Sequence, residues 1–326
     1  MNPKSIINLF SILVLFFSFS YLFPVIVSVI YDDGALHVFL KTLAILSATG
    51  VIGLIYTRNI KNDLSQKDGF VIIVMFWMIL SIAGSIPFYL SGLSFIDSFF
   101  ESMSGITTTG ATVIANIDNL PESILFYRQL LQWMGGMGLI VLAIAVMPLL
   151  GIGGGQIYKT EIPGAMGEQR LTPRIKETAQ ALWLIYLGLT IICGILYYFA
   201  GMSAFDAIAH SMSTVAIGGF STHSDSIGHF NSLTIELICI IFMLLSAFSF
   251  TLHYFAVYKR KPLKYLYDPE FRFFLFVLAL VFLIALIIGL TSNNTQSPNI
   301  GPIFVLNIKL NCLGGVKSSF LQLAGT

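Results

Sequence analysis

The sequence predicts an all-α polytopic membrane protein: an extra N-terminal helix pair, then span/pore-helix/span repeats with re-entrant loops. Three observations carry this. Of 326 residues, 56% are hydrophobic and only 10% charged, with a mean hydropathy of +0.86, well outside the range of a soluble domain. Seven apolar stretches are each long enough to cross a hydrocarbon core, which takes about 20 residues of helix. A polar segment rich in serine, threonine and glycine interrupts this pattern twice, at a constant offset of 109 residues.

The first stretch, Ser5 to Ile30, is longer than a signal-peptide core and has no small-residue cleavage site after it, so it is expected to be a retained span. Val38 to Tyr56 completes an N-terminal pair over residues 1–66. Phe70 to Leu90 and Ile124 to Leu149 bracket a first pore unit (67–158), and Ala179 to Ala200 and Leu233 to Tyr258 a second (159–264). Phe271 to Leu290 opens an incomplete third unit (265–290). The atypical tail, 291–326, carries no further copy of the motif.

Charge orients these spans. Arg58, Lys61 and Lys67 follow the second; Lys159, Arg170, Arg174 and Lys176 follow the fourth; Lys259, Arg260, Lys261 and Lys264 follow the sixth, with Arg272 just beyond. The opposite loops hold little more than Lys41 and Arg128, so the positive-inside rule places the N-terminus in the cytoplasm. The outer loops carry Asp32, Asp33, Asp97, Asp118, Glu122, Asp206 and Asp225, and a cation approaching from outside meets acid. A net charge of +1 leaves no basic surplus for nucleic acid. Cys193, Cys239 and Cys312 are too scattered for a disulfide framework or a metal cluster, and no cofactor is expected.

The repeated segments are DSFFESMSGITTTG from Asp97 and DAIAHSMSTVAIGG from Asp206. Asp97 aligns with Asp206, Ser102-Met103-Ser104 with Ser211-Met212-Ser213, and Gly110 with Gly219. Each copy lies after one span and before another, on the outer side. About ten half-apolar residues are too few to cross, so each reads as a re-entrant piece, tolerated only where protein or a water-filled cavity satisfies its backbone. The aspartates are expected as N-caps of short pore helices running inward. The carbonyl ends of those helices then favour a cation near the membrane middle. Beyond them the backbone turns outward again, and Gly110, Gly218 and Gly219 permit the positive φ such a turn can require. Unpaired carbonyls there would cost several kcal/mol each in an apolar medium, a cost that a dehydrating cation offsets by binding to them. Neither Thr107 to Thr112 nor Ala216 to Thr222 contains a carboxylate, which favours a weakly held monovalent ion over a divalent cage.

Other features have plainer readings. WMGGMG, Trp133 to Gly138, is expected to pack helices closely behind the pore, and GIGGGQ, Gly151 to Gln156, to end a helix at the cytoplasmic face. Glu236 is placed in the first turn of an outer-facing helix end. His210, His223 and His229 lack metalloprotease spacing and are assigned to a hydrated vestibule or surface.

SMSGITTTGAT, HSMSTVAIGGFST and RQLLQWMGGMGLIVLAIAVMPL together resemble motifs of the TrkH/KtrB/HKT superfamily of potassium transporters. The resemblance covers roughly residues 1 to 290. It implies a bacterial inner-membrane protein with four span-pore-span repeats around one K⁺ pathway, each supplying one filter strand, and beside that pattern the chain reads as truncated after the start of a third repeat. Carried over by position, Thr108, Thr109, Gly110 and Ala111 resemble the first strand, and Ile217, Gly218, Gly219 and Phe220 the second. It further implies K⁺ as the transported ion, with coupling to Na⁺ or H⁺ left open, homodimers, and a TrkA-type cytosolic nucleotide-binding regulatory partner. The basic KRKPLK stretch from Lys259 suits that partner or anionic membrane lipid equally. Two alternatives stand beside uptake: a non-conducting fragment that only assembles with full-length subunits, and an intramembrane hydrolase using Asp97, Asp206 and the outer histidines.

Overall fold

A computed structural model describes residues 3–58, 66–150, 175–248, 250–260 and 263–291. Those residues are helical with short connections, and none of them is in a strand. Lys61, Lys159, Arg170, Arg174, Lys261, Cys312, the Gly151 to Gln156 stretch and the tail from 292 lie outside the described residues.

The first expected span is two helices, α1 (Pro3–Phe19) and α2 (Leu22–Tyr31), rather than one. Pro24 explains the break: it has no N–H to reach the Ser20 carbonyl, which instead accepts from Phe23 in a tighter turn at 3.2 Å. Tyr21, fully buried at this joint, donates to or accepts from Tyr127 at 3.1 Å and reaches the Ala83 carbonyl. The N-terminal pair is completed by α3 (Leu36–Tyr56), which lies along α1.

The first repeat follows as α4 (Gln66–Leu90), the short α5 (Phe95–Ile106) and α6 (Glu122–Leu150). The second is α7 (Ile175–Phe199), the short α8 (Ala204–Val215) and α9 (Leu233–Ala247). The sixth expected span stops at Phe248, whose ψ of 149° is extended, and resumes as α10 (Phe250–Val257). His253 donates through Nε2 to the Leu245 carbonyl at 2.7 Å, satisfying an acceptor near this break. Then come a single turn, α11 (Lys264–Tyr267), and α12 (Pro269–Thr291). By length and composition, three helical stretches among the described residues can cross a membrane: Lys4–Tyr31, Leu36–Tyr56 and Gln180–Phe199.

Helix α6 is central: it packs against both short helices, α5 and α8, as well as α7 and α2. Two glycines make this possible. A Cβ on Gly135 would stand 1.9 Å from the Ile106 carbonyl oxygen at the end of α5, and one on Gly136 would stand 3.3 Å from Ala216 Cα beyond the end of α8. The WMGGMG stretch therefore does the close packing expected of it, in the small-residue manner common between membrane helices.

Candidate functional site

The offset of 109 residues holds in three dimensions. Gly92 and Gly201 turn the chain with φ of 103° and 106°. Ser94 and Ser203 then cap α5 and α8 with identical backbone angles, φ −60° and ψ 157°. Each serine hydroxyl accepts from the N–H three residues on, at 3.1 and 3.0 Å, and donates to that residue's carboxylate at 2.7 Å. Asp97 and Asp206 are thus not the caps expected of them. They stand in the third helical position, where each carboxylate accepts from the cap hydroxyl and lies in the favourable field of the helix start. Serine takes the cap itself because its short hydroxyl reaches the third N–H from an extended backbone.

After α5 and α8 the chain turns in the same way in both copies. Thr108 and Ile217 have φ of 55° and 54°, and Gly110 and Gly219 have φ of 76° and 85°. A β-branched residue in the left-handed region costs on the order of 1–3 kcal/mol, so the same strain at the same place in both copies is imposed by the surroundings. Serine anchors each turn: the carbonyls of Ser104 and Ser213 accept from Thr109 and Gly218, each at 2.9 Å. The Ser104 hydroxyl donates to the Ala111 carbonyl at 2.5 Å, whereas the Ser213 hydroxyl accepts from the Gly219 N–H at 3.1 Å. Among the described residues no donor reaches the carbonyls of Thr108, Thr109, Gly110, Ile217, Gly218, Gly219 or Phe220. Thr107 and Thr109 are exposed and share a hydroxyl contact of 2.8 Å.

Gly218 differs from its expected role. Its φ is not positive; it is glycine because a Cβ would fall 2.3 Å from Gln132 Cδ. Gln132, fully buried on α6, puts Oε1 between the Ser213 hydroxyl at 2.7 Å and the Phe220 N–H at 3.0 Å. One turn earlier on α6, Arg128 is fully buried and donates from Nε to Glu101 Oε1 at 2.8 Å and from Nη1 to the Ser221 carbonyl at 3.1 Å. Its guanidinium also lies 4.3 Å from the centre of the Phe220 ring. Glu101, fully buried too, accepts from the Val113 N–H with its other oxygen at 3.2 Å. Sequence reasoning missed Glu101 and Gln132 and counted Arg128 only as a loop charge. The available signal was polar and ionisable residues inside apolar segments, which are costly there unless they are paired or functional.

The outer loops after the two turns are joined. Asp118 accepts from the Ser224 N–H at 3.1 Å and its hydroxyl at 2.5 Å, and these bonds hold the Asp118 carboxyl below the usual carboxylate range. His223 lies 3.2 Å from Asp206 and stacks on His229 at 3.7 Å. His210 is not at a vestibule surface: it is 2% exposed, and its Nε2 contacts the Ser221 hydroxyl at 3.0 Å behind the second turn. No group of three or more His, Cys, Asp or Glu among the described residues could hold a metal. On the outer side of the N-terminal pair, Asp33 accepts from the Ser123 N–H at 2.8 Å.

A family model for TrkH, described as a cation transport protein, matches residues 35–305. The chain is 50% identical over 303 residues to the Trk system potassium uptake protein TrkH of Vibrio parahaemolyticus, covering 91% of this chain and 62% of that one. It is 49% identical over 297 residues to the protein of that name from Halomonas elongata, covering 90% and 62%. To the Trk system potassium uptake protein TrkG of Escherichia coli it is 44% identical over 279 residues, covering 85% and 58%. The fold superposes on the crystal structure of the potassium transporter TrkH from Vibrio parahaemolyticus with a TM-score of 0.82 and 45% identity, over 95% of this chain and 64% of the other. The chain thus spans about three-fifths of the length of the curated relatives it matches. With a family model over most of its length and relatives at these identities, the chain is a multi-pass membrane protein that belongs to the TrkH family of cation transport proteins.

Proposed function

We propose that this chain contributes two filter strands, Thr108 to Ala111 and Ile217 to Phe220, to a K⁺ uptake pathway across the bacterial cytoplasmic membrane. The observation that carries the reading is the repeated turn itself. In two copies 109 residues apart, a short helix ends and a left-handed residue follows. A glycine with positive φ comes next, and among the described residues no donor reaches the carbonyls between them. Such carbonyls in a low-dielectric surround are costly unless an ion losing its hydration shell uses them. The carbonyl ends of α5 and α8 add partial negative charge near that point, and the threonine hydroxyls add neutral oxygens suited to a hard monovalent ion. The relatives' printed names, Trk system potassium uptake proteins, support K⁺ as that ion.

The N-terminus lies in the cytoplasm in this reading, with the acidic loops outside concentrating cations. The chain works as a homodimer with a TrkA-type nucleotide-binding subunit, and no cofactor takes part. The hydrolase alternative has little to stand on, because Asp97 and Asp206 each serve the start of a separate short helix.

Rubidium uptake into cells lacking their own K⁺ uptake tests the proposal, using the wild-type chain and Gly110→Ser and Gly219→Ser variants. Uptake by wild type that falls at least tenfold in both variants is expected, about what 1.4 kcal/mol of lost binding gives. Equal uptake by all three would defeat the filter assignment. Absence of uptake by any would favour the fragment that acts only with full-length subunits.

A further inference from the structure

We propose that Glu101 and Arg128 form a strut behind the two strands, fixing the first at a set spacing from the second, and that they are positioning residues for ion discrimination. The consequence for transport rests on the filter reading above; the strut itself is a matter of geometry.

A continuous line of hydrogen bonds runs from one strand to the other. It passes from the Val113 N–H to Glu101 at 3.2 Å, from Glu101 to Arg128 Nε at 2.8 Å, and from Arg128 Nη1 to the Ser221 carbonyl at 3.1 Å. Val113 lies two residues beyond Ala111, and Ser221 directly follows Phe220. Both ends of the line therefore grip the chain just outside a candidate strand. Both side chains are fully buried.

Stability alone does not account for this pair. Replacing a buried ion pair with apolar side chains of similar volume is commonly neutral or stabilising. What an apolar pair cannot do is accept an amide proton at one end and donate to a carbonyl at the other. A carboxylate with two acceptor oxygens and a guanidinium with several donors can be joined in that order. Lysine, with one compact ammonium, has no fork to divide between Glu101 and Ser221.

The arrangement is not duplicated. At the offset of the repeat, His210 stands where Glu101 does and Leu237 where Arg128 does. The single strut belongs to α6, and the second copy converges on it. His210 holds the Ser221 hydroxyl while Arg128 holds the Ser221 carbonyl, and Gln132, one turn along the same face as Arg128, holds the Phe220 N–H. Discrimination among monovalent cations depends on where backbone oxygens sit and how firmly they are held. A strut that sets two strands together acts on that quantity without touching the ion.

Hydrogen exchange on the purified chain tests the strut independently of conduction. In the Glu101→Leu/Arg128→Met double variant the core stays filled and uncharged while both backbone bonds are lost. Peptides covering 109–114 and 217–222 are expected to exchange about tenfold faster or more, with α3 and α7 unchanged. No change in either segment, or even loosening of the whole chain, would overturn the strut. In Arg128→Lys, only 217–222 should loosen, because Glu101 keeps a cation and its bond to Val113. Protection of both segments as in wild type would overturn the division of labour. In cells, both variants should lose preference for K⁺ over Na⁺ as a competitor of rubidium uptake. Unchanged preference with loosened strands would overturn the discrimination role. Absence of uptake by wild type would overturn conduction by this chain alone, in favour of the fragment that acts only with full-length subunits, and the exchange pattern would still decide the strut.

Discussion

Gly135→Ala isolates the contact that brings α6 against the first strand. The added Cβ would lie 1.9 Å from the Ile106 carbonyl oxygen, 2.7 Å from its carbon and 3.1 Å from its Cα. Real Cβ atoms essentially never come within 3.0 Å of a neighbour, so the backbones of α5 and α6 must part by about 1 Å. No rotamer can absorb this, because the opposing atoms are main chain. Overpacking of this kind costs about 1–3 kcal/mol, and a backbone-to-backbone clash belongs at the upper end. Gly136→Ala meets the flexible Tyr186 hydroxyl at 2.5 Å and Ala216 Cα at 3.3 Å, a milder conflict of roughly 1 kcal/mol. Gly188→Ala on α7 meets nothing within 4 Å and gains about 0.5–1 kcal/mol from better helix propensity. Thermal unfolding of the purified proteins should rank the alanine variants Gly188, wild type, Gly136, Gly135 from most to least stable. A Gly135→Ala protein as stable as Gly188→Ala would refute the packing argument. Because Ile106 leads directly into Thr107, hydrogen exchange at 107–111 should also rise in Gly135→Ala.

The Asp33 site predicts a pH effect. Burial alone would raise its carboxyl, but hydrogen bonds from Ser123, Ser28 and the Ala35 N–H outweigh it and hold it below the usual carboxylate range. A depressed folded pKa contributes stability above the unfolded value and loses it as pH falls through the folded one. Wild type should therefore lose stability more steeply than Asp33→Asn as pH falls below the ordinary carboxylate range, measured by thermal unfolding across acidic pH; parallel curves would contradict the assignment. Gly218→Ala should cost about 1–2 kcal/mol by displacing Gln132 from the Phe220 N–H. Combining it with Gln132→Ala should be clearly less than additive; simple additivity would mean that Gly218 serves something other than the glutamine.

Most of the architecture was legible because membrane spans leave a length and composition signal that tertiary context rarely overrides. The repeat was legible for the same reason that it is structural: Ser94 and Ser203, Asp97 and Asp206, and Gly110 and Gly219 each perform one local backbone task twice. Even the cap was readable, since a serine three residues before an aspartate marks both helix starts. The break after Ser20 had a visible cause in Pro24, whereas the break at Phe248 has neither proline nor glycine beside it. Long-range chemistry was the part that stayed hidden. Glu101 and Arg128 are 27 residues apart, and Arg128 and Ser221 are 93 apart, and no periodicity links them. Gly218 looked like a backbone hinge because a glycine's lost side chain and its freed φ leave the same letter; only the position of Gln132 distinguishes the two.

The most direct measurement of the central claim is the location of rubidium by anomalous scattering in crystals of the protein grown in rubidium salt. The account predicts a peak within coordination distance of the backbone oxygens of Thr108 to Ala111 and Ile217 to Phe220, lost in Gly110→Ser. Rubidium bound instead at the outer carboxylates, with those carbonyls unoccupied, would contradict it.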